Sequence, residues 1–529
     1  MTSADAVVVG AGPNGLVAAN ALADAGWSVV LLEANDVVGG AVRTAEVTAP
    51  GFRNDLFSAF YPLAAASPVI AGLDLQDHGL SWTQAPTVLT HVFPDGGSAS
   101  LQRTPESTAA ALERDAPGDG DAWLALVADW QRVRGPLLDA LFTPFPPVRA
   151  VTRMLRRLGT ADTLEFARLG VLPVRRLGDE LFAGRGAPAL LTGNAMHSDV
   201  GPDAAGSGLF GWLLCMLGQD VGFPVPVGGA QSLADALAAR LRSRGGEIRT
   251  GARVASIEIS SSRASGVRLV GGERIGAGKA VLADVDAPTL YADLVGLAHL
   301  PAGFAVALDR FHWDNPTLKL NWALGGPVPW TAADAHPAGT VHLGVDVDGF
   351  VDHAADLSTG RLPRNPFVLF GQMTTADATR SPAGTESAWA YTHLPRAVAE
   401  DAAAVSVLVD RVRREIEDQA PGFGDLVLAE HVQRPDDLEA ADSNLVSGAI
   451  NAGTSNLHQQ LVFRPTSGLG RPETPVEGLY LAGASAHPGG GVHGACGWNA
   501  ARAALHGSGA ARKRLLRSAW GRLLSDPQR

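Results

Sequence analysis

A glycine-rich turn between two short apolar runs near the N-terminus constrains the fold more than any other feature of the chain. Residues 6–9 (AVVV) and 29–32 (VVLL) are mostly β-branched or apolar, as expected of buried parallel strands. Between them, residues 10–15 (GAGPNG) open a segment with helical spacing of apolar residues, which ends at Gly26. Glu33 directly follows the second run. The sequence therefore predicts a βαβ unit with a GxGxxG turn, the arrangement that binds a dinucleotide.

Each part of this unit has a physical role in holding a dinucleotide. Gly10 permits the tight turn, Gly12 lets the backbone approach a pyrophosphate, and Gly15 allows the helix to pack closely on the strand. The start of the helix supplies unpaired N–H groups and a partial positive charge for the phosphates. Glu33 is placed to accept hydrogen bonds from the ribose hydroxyls.

The segment after the second strand indicates which dinucleotide binds. Residues 37–44 (VVGGAVRT) contain two adjacent glycines, which let backbone pass close to a large ligand, and Arg43, which can pair with a phosphate. This doublet resembles the GG doublet of FAD enzymes in the glutathione-reductase and amine-oxidase superfamily. The resemblance implies FAD rather than NAD as the cofactor.

A second glycine-rich segment lies near the C-terminus. Residues 478–483 (GLYLAG) are typical of a buried strand, and residues 487–494 (HPGGGVHG) contain four glycines and two histidines. A helix of small residues is predicted over about residues 497–505. No second strand and no nearby acid follow, so a second dinucleotide turn is not indicated. We interpret the glycines as a bed for the flavin ring, with N–H groups of the following helix near its pyrimidine edge.

Together these motifs resemble the phytoene desaturase (carotenoid desaturase) family of FAD oxidoreductases, and most closely the subgroup of pyridine nucleotide-disulphide oxidoreductase domain-containing proteins. Residues 226–233 (PVGGAQSL), 248–254 (IRTGARV) and 459–465 (QQLVFRP) also look like this subgroup. The resemblance implies an α/β (α+β mixed) fold, in which a Rossmann-type FAD-binding domain of the glutathione-reductase and amine-oxidase superfamily carries an inserted substrate domain.

The resemblance also implies domain boundaries and site residues. The FAD-binding domain is expected from residues 1–85, 225–300 and 468–508, and the substrate domain from residues 86–224 and 301–467. Apolar spacing among arginines predicts a basic amphipathic helix over residues 509–529. The expected cofactor-binding residues are Gly10, Gly12, Pro13, Asn14, Gly15, Glu33, Ala34, Gly39, Gly40, Arg43, Val254, Gly483, His487, Gly490, Gly491 and Val492.

Three side chains are candidates for catalysis. His487 and His493 lie in the predicted flavin bed. Lys319 lies on the polar face of a predicted strand, residues 317–324 (TLKLNWAL). By resemblance to amine oxidases, Lys319 is expected near flavin N5 through a water molecule; alternatively it binds an acidic substrate group or forms a salt bridge at a strand edge. A further histidine, His197, is more typical of a satisfied core residue.

Composition narrows the function classes. A net charge of −12 argues against general nucleic-acid binding. The two cysteines are far apart in sequence and form no CxxC pair, and no His/Cys/Asp/Glu cluster has metal-ligand spacing. No secretory signal and no apolar run of ~20 residues is found, which favours a cytoplasmic protein. The basic amphipathic residues 147–158 and 509–529 suit either the inner face of a membrane or a protein surface.

The sequence thus predicts an FAD-dependent oxidoreductase that desaturates a hydrophobic, isoprenoid- or polyene-like substrate by hydride transfer to flavin N5, with oxygen, quinone or another electron acceptor. Two alternatives stay open: an amine oxidase-type enzyme acting on a polar substrate, and a non-catalytic FAD-binding interaction protein. The sequence names neither the substrate nor the oligomeric state.

Overall fold

Two seven-stranded sheets organise the computed structural model, which describes residues 2–468 and 470–507. In the first sheet, parallel strands form one side and two antiparallel strands extend the other. From the parallel edge, the strands are Glu247–Arg249, Val29–Leu32, Thr2–Val9, Arg274–Ala283, and then the antiparallel Arg263–Leu269 and Val254–Ser260. The C-terminal part of Arg274–Ala283 pairs in parallel with the short strand Leu479–Leu481, and its N-terminal part pairs with Arg263–Leu269. The carboxyl ends of the parallel strands meet at one edge, where open α/β sheets bind their ligands.

The N-terminal βαβ unit forms as predicted from its apolar pattern. Strand Thr2–Val9 pairs in parallel with strand Val29–Leu32, which is buried along its whole length. The helix between them, Pro13–Asp24, begins with a proline, whose missing N–H costs nothing at the first helical position. Its apolar residues pack into the same core as the strands, so the unit brings the glycine turn to the ligand-binding edge.

The second sheet is mostly antiparallel and supplies the opposite wall of the site. Its strands in spatial order are Val427–Gln433, Thr317–Leu324, Glu386–His393, Val368–Gln372, Ala338–Leu343, Thr87–Val92 and Ser98–Leu101. The pair Ala338–Leu343 and Thr87–Val92 is parallel. Every residue of Thr317–Leu324 is buried, and this strand has neighbours on both sides. The strand predicted at residues 317–324 is confirmed.

Helices cover the sheets and fill the region between residues 105 and 220, where helices were predicted. The α-helices are Pro13–Asp24, Pro62–Ala66, Pro68–Ala71, Pro105–Asp115, Asp119–Leu141, Val148–Leu169, Val174–Leu181, Gly186–Ala195, Ser207–Asp220, Gln231–Ser243, Ala302–Leu308, Val347–Ser358, Met373–Ala376, Ala402–Gln419, Phe423–Leu426, Pro435–Ala441 and Ala495–His506. A π-helix spans Thr289–Val295. Short 3₁₀ helices are Leu75–His78, Leu297–His299, Ala333–Ala335, Arg396–Val398, Val446–Gly448, Leu457–Gln459 and Leu461–Phe463.

The mixed α/β class is confirmed by these two sheets and their helices. The first sheet takes its strands from residues 2–32, 247–283 and 479–481, and the second from residues 87–101 and 317–433. The exact domain boundaries stay a prediction, and the helix predicted at residues 509–529 lies outside the described residues. Within the described ranges, no helix is both long enough and apolar enough to cross a membrane.

Candidate functional site

A cavity of about 470 Å³ joins the ligand-binding edge of the first sheet to the second sheet. Its first end is lined by the glycine turn and by residues that follow the parallel strands. Its other end is lined by side chains of the second sheet and the helical region. Residues that represent the two ends are Gly10, Gly12, Glu33, Val254 and Asp284 for the first, and Leu214, Phe223, Lys319, Leu369, Trp389 and Tyr391 for the second.

The glycine turn is packed so tightly that side chains are excluded. Gly10 has a φ of +94°, and a Cβ on Gly10 would lie 2.6 Å from the carbonyl oxygen of Asp284. A Cβ on Gly15 would lie 2.1 Å from the oxygen of Gly10, which is the close helix–strand packing expected of that position. Gly12 lines the cavity, and its Cβ would lie 2.7 Å from Asp284 Oδ2. The neighbouring Pro13 and Asn14 also line the cavity.

Glu33 is held at the cavity wall by two backbone groups. Its Oε2 accepts a hydrogen bond from Ala11 N at 2.8 Å, and its Oε1 accepts one from Asn35 N at 2.8 Å. A carboxylate has about four acceptor positions, so Glu33 keeps capacity to accept from a ligand hydroxyl. Ala34 and Val254 line the cavity beside it, and their contact with the adenine stays a prediction.

The glycine doublet packs on the turn. Gly39, with a φ of +127°, donates its N–H to Ala11 O at 2.8 Å. Gly40 lines the cavity, and a Cβ on it would lie 3.0 Å from the Cα of Gly12. Both positions have positive φ, so glycine serves here for backbone conformation as well as for space.

Arg43 is not among the residues that line the cavity. Its Nε donates to Gly40 O at 3.0 Å and its Nη2 donates to Ala441 O at 2.7 Å. Its guanidinium carbon lies 5.0 Å from the ring centre of Phe57. The structure therefore shows Arg43 linking the doublet to the end of helix Pro435–Ala441, with these two N–H groups already used.

The C-terminal glycine bed has one face toward the cavity and one toward the protein. Gly491, with a φ of +112°, and Val492 line the cavity. Gly483 and Gly490 do not: a Cβ on Gly483 would lie 2.5 Å from Val285 O, and one on Gly490 would lie 2.5 Å from Asn451 Oδ1. These two glycines permit close packing behind the bed.

The two histidines of the bed do not line the cavity. His487 Nε2 lies 3.1 Å from Thr143 O, and burial lowers the pKa of His487 to about 4. His493 Nδ1 accepts from Ala495 N at 3.0 Å, its ring lies 5.4 Å from that of Phe142, and burial lowers its pKa to about 4 as well. Both rings are neutral at pH 7 and connect the bed to surrounding structure.

Lys319 lines the cavity with its ammonium group held by backbone carbonyls. Nζ donates to Asp55 O at 2.6 Å and to Phe57 O at 2.8 Å, and it lies 5.2 Å from the ring centre of Trp389. Burial lowers the pKa of Lys319 to about 7, although nearby Asp55 opposes this shift. Since its strand is an inner one, the strand-edge alternative is wrong.

The structure adds wall residues that sequence reasoning missed or set aside. Trp389 and Tyr391 lie two positions apart on strand Glu386–His393 and therefore share one face of the sheet. Their ring centres lie 5.8 Å apart in a stacked arrangement. His197, expected in the core, lines the cavity and has its Nε2 2.7 Å from that of His342. The period-two spacing of Trp389 and Tyr391 is a signal that could have been used.

A loop of residues 450–454 contributes to the wall and is held from two sides. Asp314 accepts from the N–H groups of Ile450, Asn451 and Gly453 at 2.8–3.1 Å. The fully buried Arg464 donates to the carbonyls of residues 451–454 and of Ala484. Residues 459–465, singled out in the sequence, thus contain the guanidinium that fixes this loop.

Comparisons with known proteins extend over most of the chain. A sequence family described as "Flavin containing amine oxidoreductase" matches residues 14–505. The mouse "Pyridine nucleotide-disulfide oxidoreductase domain-containing protein 2" is 30% identical, covering 94% of this chain and 92% of the mouse protein. The "Phytoene desaturase (neurosporene-forming)" of Rhodobacter capsulatus is 25% identical, covering 92% and 91%. The solved structure of cyclohexylamine oxidase from Brevibacterium oxydans IH-35A has the same fold, with a TM-score of 0.59, 17% identity, and coverage of 95% and 99%.

Proposed function

Because the chain belongs to the flavin containing amine oxidoreductase family, we propose that its flavin is FAD and that it dehydrogenates a hydrophobic, isoprenoid- or polyene-like substrate. The observation that carries this proposal is the continuity of one cavity from the glycine turn to the second sheet. A cofactor and an apolar substrate can therefore share one enclosed space.

The residues at the first end of the cavity fit FAD. Gly10 and Gly12 line the cavity at the start of the first helix, where N–H groups of the first turn favour anions such as a pyrophosphate. Glu33 is fixed where a ribose can donate to it. Gly491 and Val492 line the same cavity and would support the flavin ring. FAD therefore suits this end better than a shorter flavin without the adenosine half.

The second end of the cavity favours an apolar substrate. Its wall includes Leu214, Phe223, Leu369, Trp389 and Tyr391. Burying apolar surface here contributes roughly 25 cal/mol per Å². The name of the Rhodobacter relative, a phytoene desaturase, supports the same substrate class.

The reaction we propose removes two hydrogens from adjacent carbons. FAD, when bound, supplies the hydride acceptor. The protein excludes water, orients the substrate C–H bond, and holds one ammonium group, that of Lys319, at the wall. The second hydrogen leaves as a proton, a C=C bond forms, and oxygen, a quinone or another acceptor finally takes up the two electrons.

An amine oxidase-type reaction is the second candidate, and Lys319 favours it. A lysine with a pKa near 7 at the cavity wall changes its charge close to neutral pH. It could therefore respond to the charge of a polar substrate.

We also propose that the enzyme meets its substrate at an anionic membrane surface. On helix Val148–Leu169, the apolar residues Val148, Val151 and Leu155 are 63%, 46% and 41% exposed. Exposed Arg149 and Arg156 lie on the same helix. Exposed apolar residues with neighbouring arginines suit a lipid surface with negative headgroups.

Anaerobic flavin reduction tests the substrate class. The purified protein is mixed without oxygen with squalene or phytoene in liposomes, and separately with putrescine and cyclohexylamine. We expect the flavin band to bleach with an isoprenoid and not with an amine. Bleaching by an amine alone would replace the first candidate with the second.

A further inference from the structure

One carboxyl group at the cavity wall, that of Asp284, has no ligand-binding role in the proposed function. Asp284 follows strand Arg274–Ala283 and lines the cavity, although the residue is only 6% exposed. Its Oδ2 accepts a hydrogen bond from Gly15 N at 2.7 Å. Among the described residues, only Gly15 donates a hydrogen bond to this carboxyl group, and it does so to Oδ2. The carboxyl therefore keeps hydrogen-bonding capacity for a ligand that packs against Asp284.

Asp284 lies where the two halves of the cofactor site approach each other. Cβ atoms built on Gly12 and Gly15 would lie 2.7 and 3.1 Å from Oδ2, and one on Gly483 would lie 3.2 Å from Oδ1. The carboxyl therefore stands beside the start of the first helix, where a pyrophosphate binds in this kind of unit. A ligand held by the glycine turn would contact it.

The charges around Asp284 disfavour its ionised form. Glu33 and Asp442 repel a negative charge there, the thiol of Cys496 lies within its electrostatic reach, and Gly15 N–H is the stabilising donor. Burial is the largest effect and, with these carboxylates, raises the pKa of Asp284 to about 8. A bound diphosphate would add further negative charge to the same space.

We propose that Asp284 is a further cofactor-binding residue that acts as a neutral carboxylic acid. One oxygen keeps the hydrogen bond from Gly15 N–H, and the protonated oxygen donates to an acceptor oxygen of the diphosphate–ribityl part of FAD. This inference rests on the proposed FAD function. It predicts that FAD affinity depends on the protonation of one residue.

The sign of the pH effect follows from linkage. Because the protonated form binds, FAD affinity is constant below the pKa of Asp284 in the free protein and falls as the pH rises above it. The dissociation constant then increases by up to about tenfold per pH unit. Asparagine has the same shape, accepts from Gly15 N–H and donates through Nδ2, and does not ionise. Asp284→Asn should therefore keep its FAD affinity at high pH.

The test is a titration of the apoprotein with FAD between pH 6.5 and 9.5, followed by flavin fluorescence. The wild type should bind progressively more weakly above about pH 8, while Asp284→Asn shows no such decrease above pH 8 and binds several-fold more tightly than the wild type at pH 9. The exposed Asp293→Asn removes the same charge and should follow the wild type. Lys319 also titrates in this cavity, with a pKa of about 7. Any change in FAD affinity that Lys319 causes remains in the Asp284→Asn protein, so the difference between the two profiles reports on Asp284.

The results that overturn the inference are equally specific. A wild-type profile without pH dependence, or an Asp284→Asn profile parallel to the wild type, contradicts it. If Asp284→Asn does not fold, proton uptake on FAD binding to the wild type at pH 9 decides, and no uptake overturns the inference. Failure of the wild type to bind FAD at any pH contradicts the proposed function instead.

Discussion

Individual side chains, and positions where glycine provides none, set the shape of the cavity beside the glycine turn. Gly12 lines the cavity with no side chain, and Asp284 lies directly behind it. Lys319 places an ammonium group at the opposite wall, where it donates hydrogen bonds to two backbone carbonyls. At each of these positions a change of a few atoms alters either the space or the charge available to a ligand.

Replacing Gly12 with valine should abolish flavin retention. The new Cβ would lie 2.7 Å from Asp284 Oδ2, and a valine at this cavity wall would compete with the proposed pyrophosphate for space. We expect a loss of affinity of at least about tenfold, or ~1.4 kcal/mol, measured as flavin absorbance per purified protein. Gly271→Ala is the matched control, since a Cβ there meets nothing within 4 Å. Full flavin occupancy in Gly12→Val would refute this placement of the site.

Replacing Lys319 with methionine should change how stability depends on pH. The folded protein releases the Lys319 proton at a pKa of about 7, whereas an unfolded lysine releases it near 10.5. Between these values the unfolded chain binds more protons, so Lys319 makes stability rise with pH, by at most about 1.4 kcal/mol per pH unit. Urea unfolding at pH 7, 8 and 9.5 should show this rise in the wild type relative to Lys319→Met. Parallel profiles would show that the buried ammonium is not shifted.

The sequence allowed us to predict residues whose contacts are close in sequence, but not contacts between residues that are far apart in sequence. Gly10, Gly12 and Glu33 act within one βαβ unit, whose pattern is visible over about thirty residues. The carbonyl partners of Lys319 lie more than 260 positions away, at Asp55 and Phe57. No local periodicity reports such a contact, so the environment of Lys319 could not be read from the sequence.

At the scale of elements, the cavity wall depends on irregular segments as much as on strands. The loop of residues 450–454 has few regular hydrogen bonds of its own. Instead, Asp314 accepts hydrogen bonds from the N–H groups of this loop, and Arg464 donates hydrogen bonds to the carbonyls of the loop. The apolar patterns predicted strands 29–32 and 317–324, whereas the sequence of this loop has no regular spacing of apolar residues. Only the resemblance of residues 459–465 to the family subgroup pointed to the segment that contains Arg464.

Removing the Arg464 guanidinium should destabilise this loop strongly. Arg464→Met removes the guanidinium from five carbonyls. Ala452 O keeps Ser485 Oγ and Thr454 O keeps Gln460 Nε2, whereas the carbonyls of residues 451, 453 and 484 lose the Arg464 donor. Each unpaired buried group costs about 1–3 kcal/mol. We expect the free energy of unfolding to fall by about 3 kcal/mol or more, with weaker flavin retention. Arg361→Gln provides the comparison, because Arg361 is exposed and pairs with Asp356 at the surface, where such pairs contribute ~1 kcal/mol or less. Equal losses in the two variants would contradict the anchoring role.

At the scale of the whole molecule, distant parts of the chain build one cavity. The first sheet draws on three separate segments and the second on two. Local patterns could not predict this interleaving, because the pairing of strand Arg274–Ala283 with strand Thr2–Val9 spans most of the N-terminal half. Both sheets line one space, which under the proposed function holds cofactor and substrate together.

The exposed face of helix Val148–Leu169 should bind anionic membranes. Val151→Asp combined with Leu155→Asp places two negative charges on its apolar face, and we expect binding to phosphatidylserine vesicles to fall about tenfold or more. Val270→Asp alters an even more exposed apolar residue in the turn of the first sheet and serves as the control. Vesicle co-sedimentation measures the effect. Unchanged binding of the double variant would place the membrane contact elsewhere or remove it.

The decisive measurement is the visible absorption spectrum of the purified protein, recorded without oxygen before and after adding lipid extract of the host in liposomes. We expect a flavin band that an isoprenoid-containing fraction bleaches, because we propose that cofactor and apolar substrate share one cavity. If the protein shows no flavin band and binds no added FAD, the proposed function is wrong.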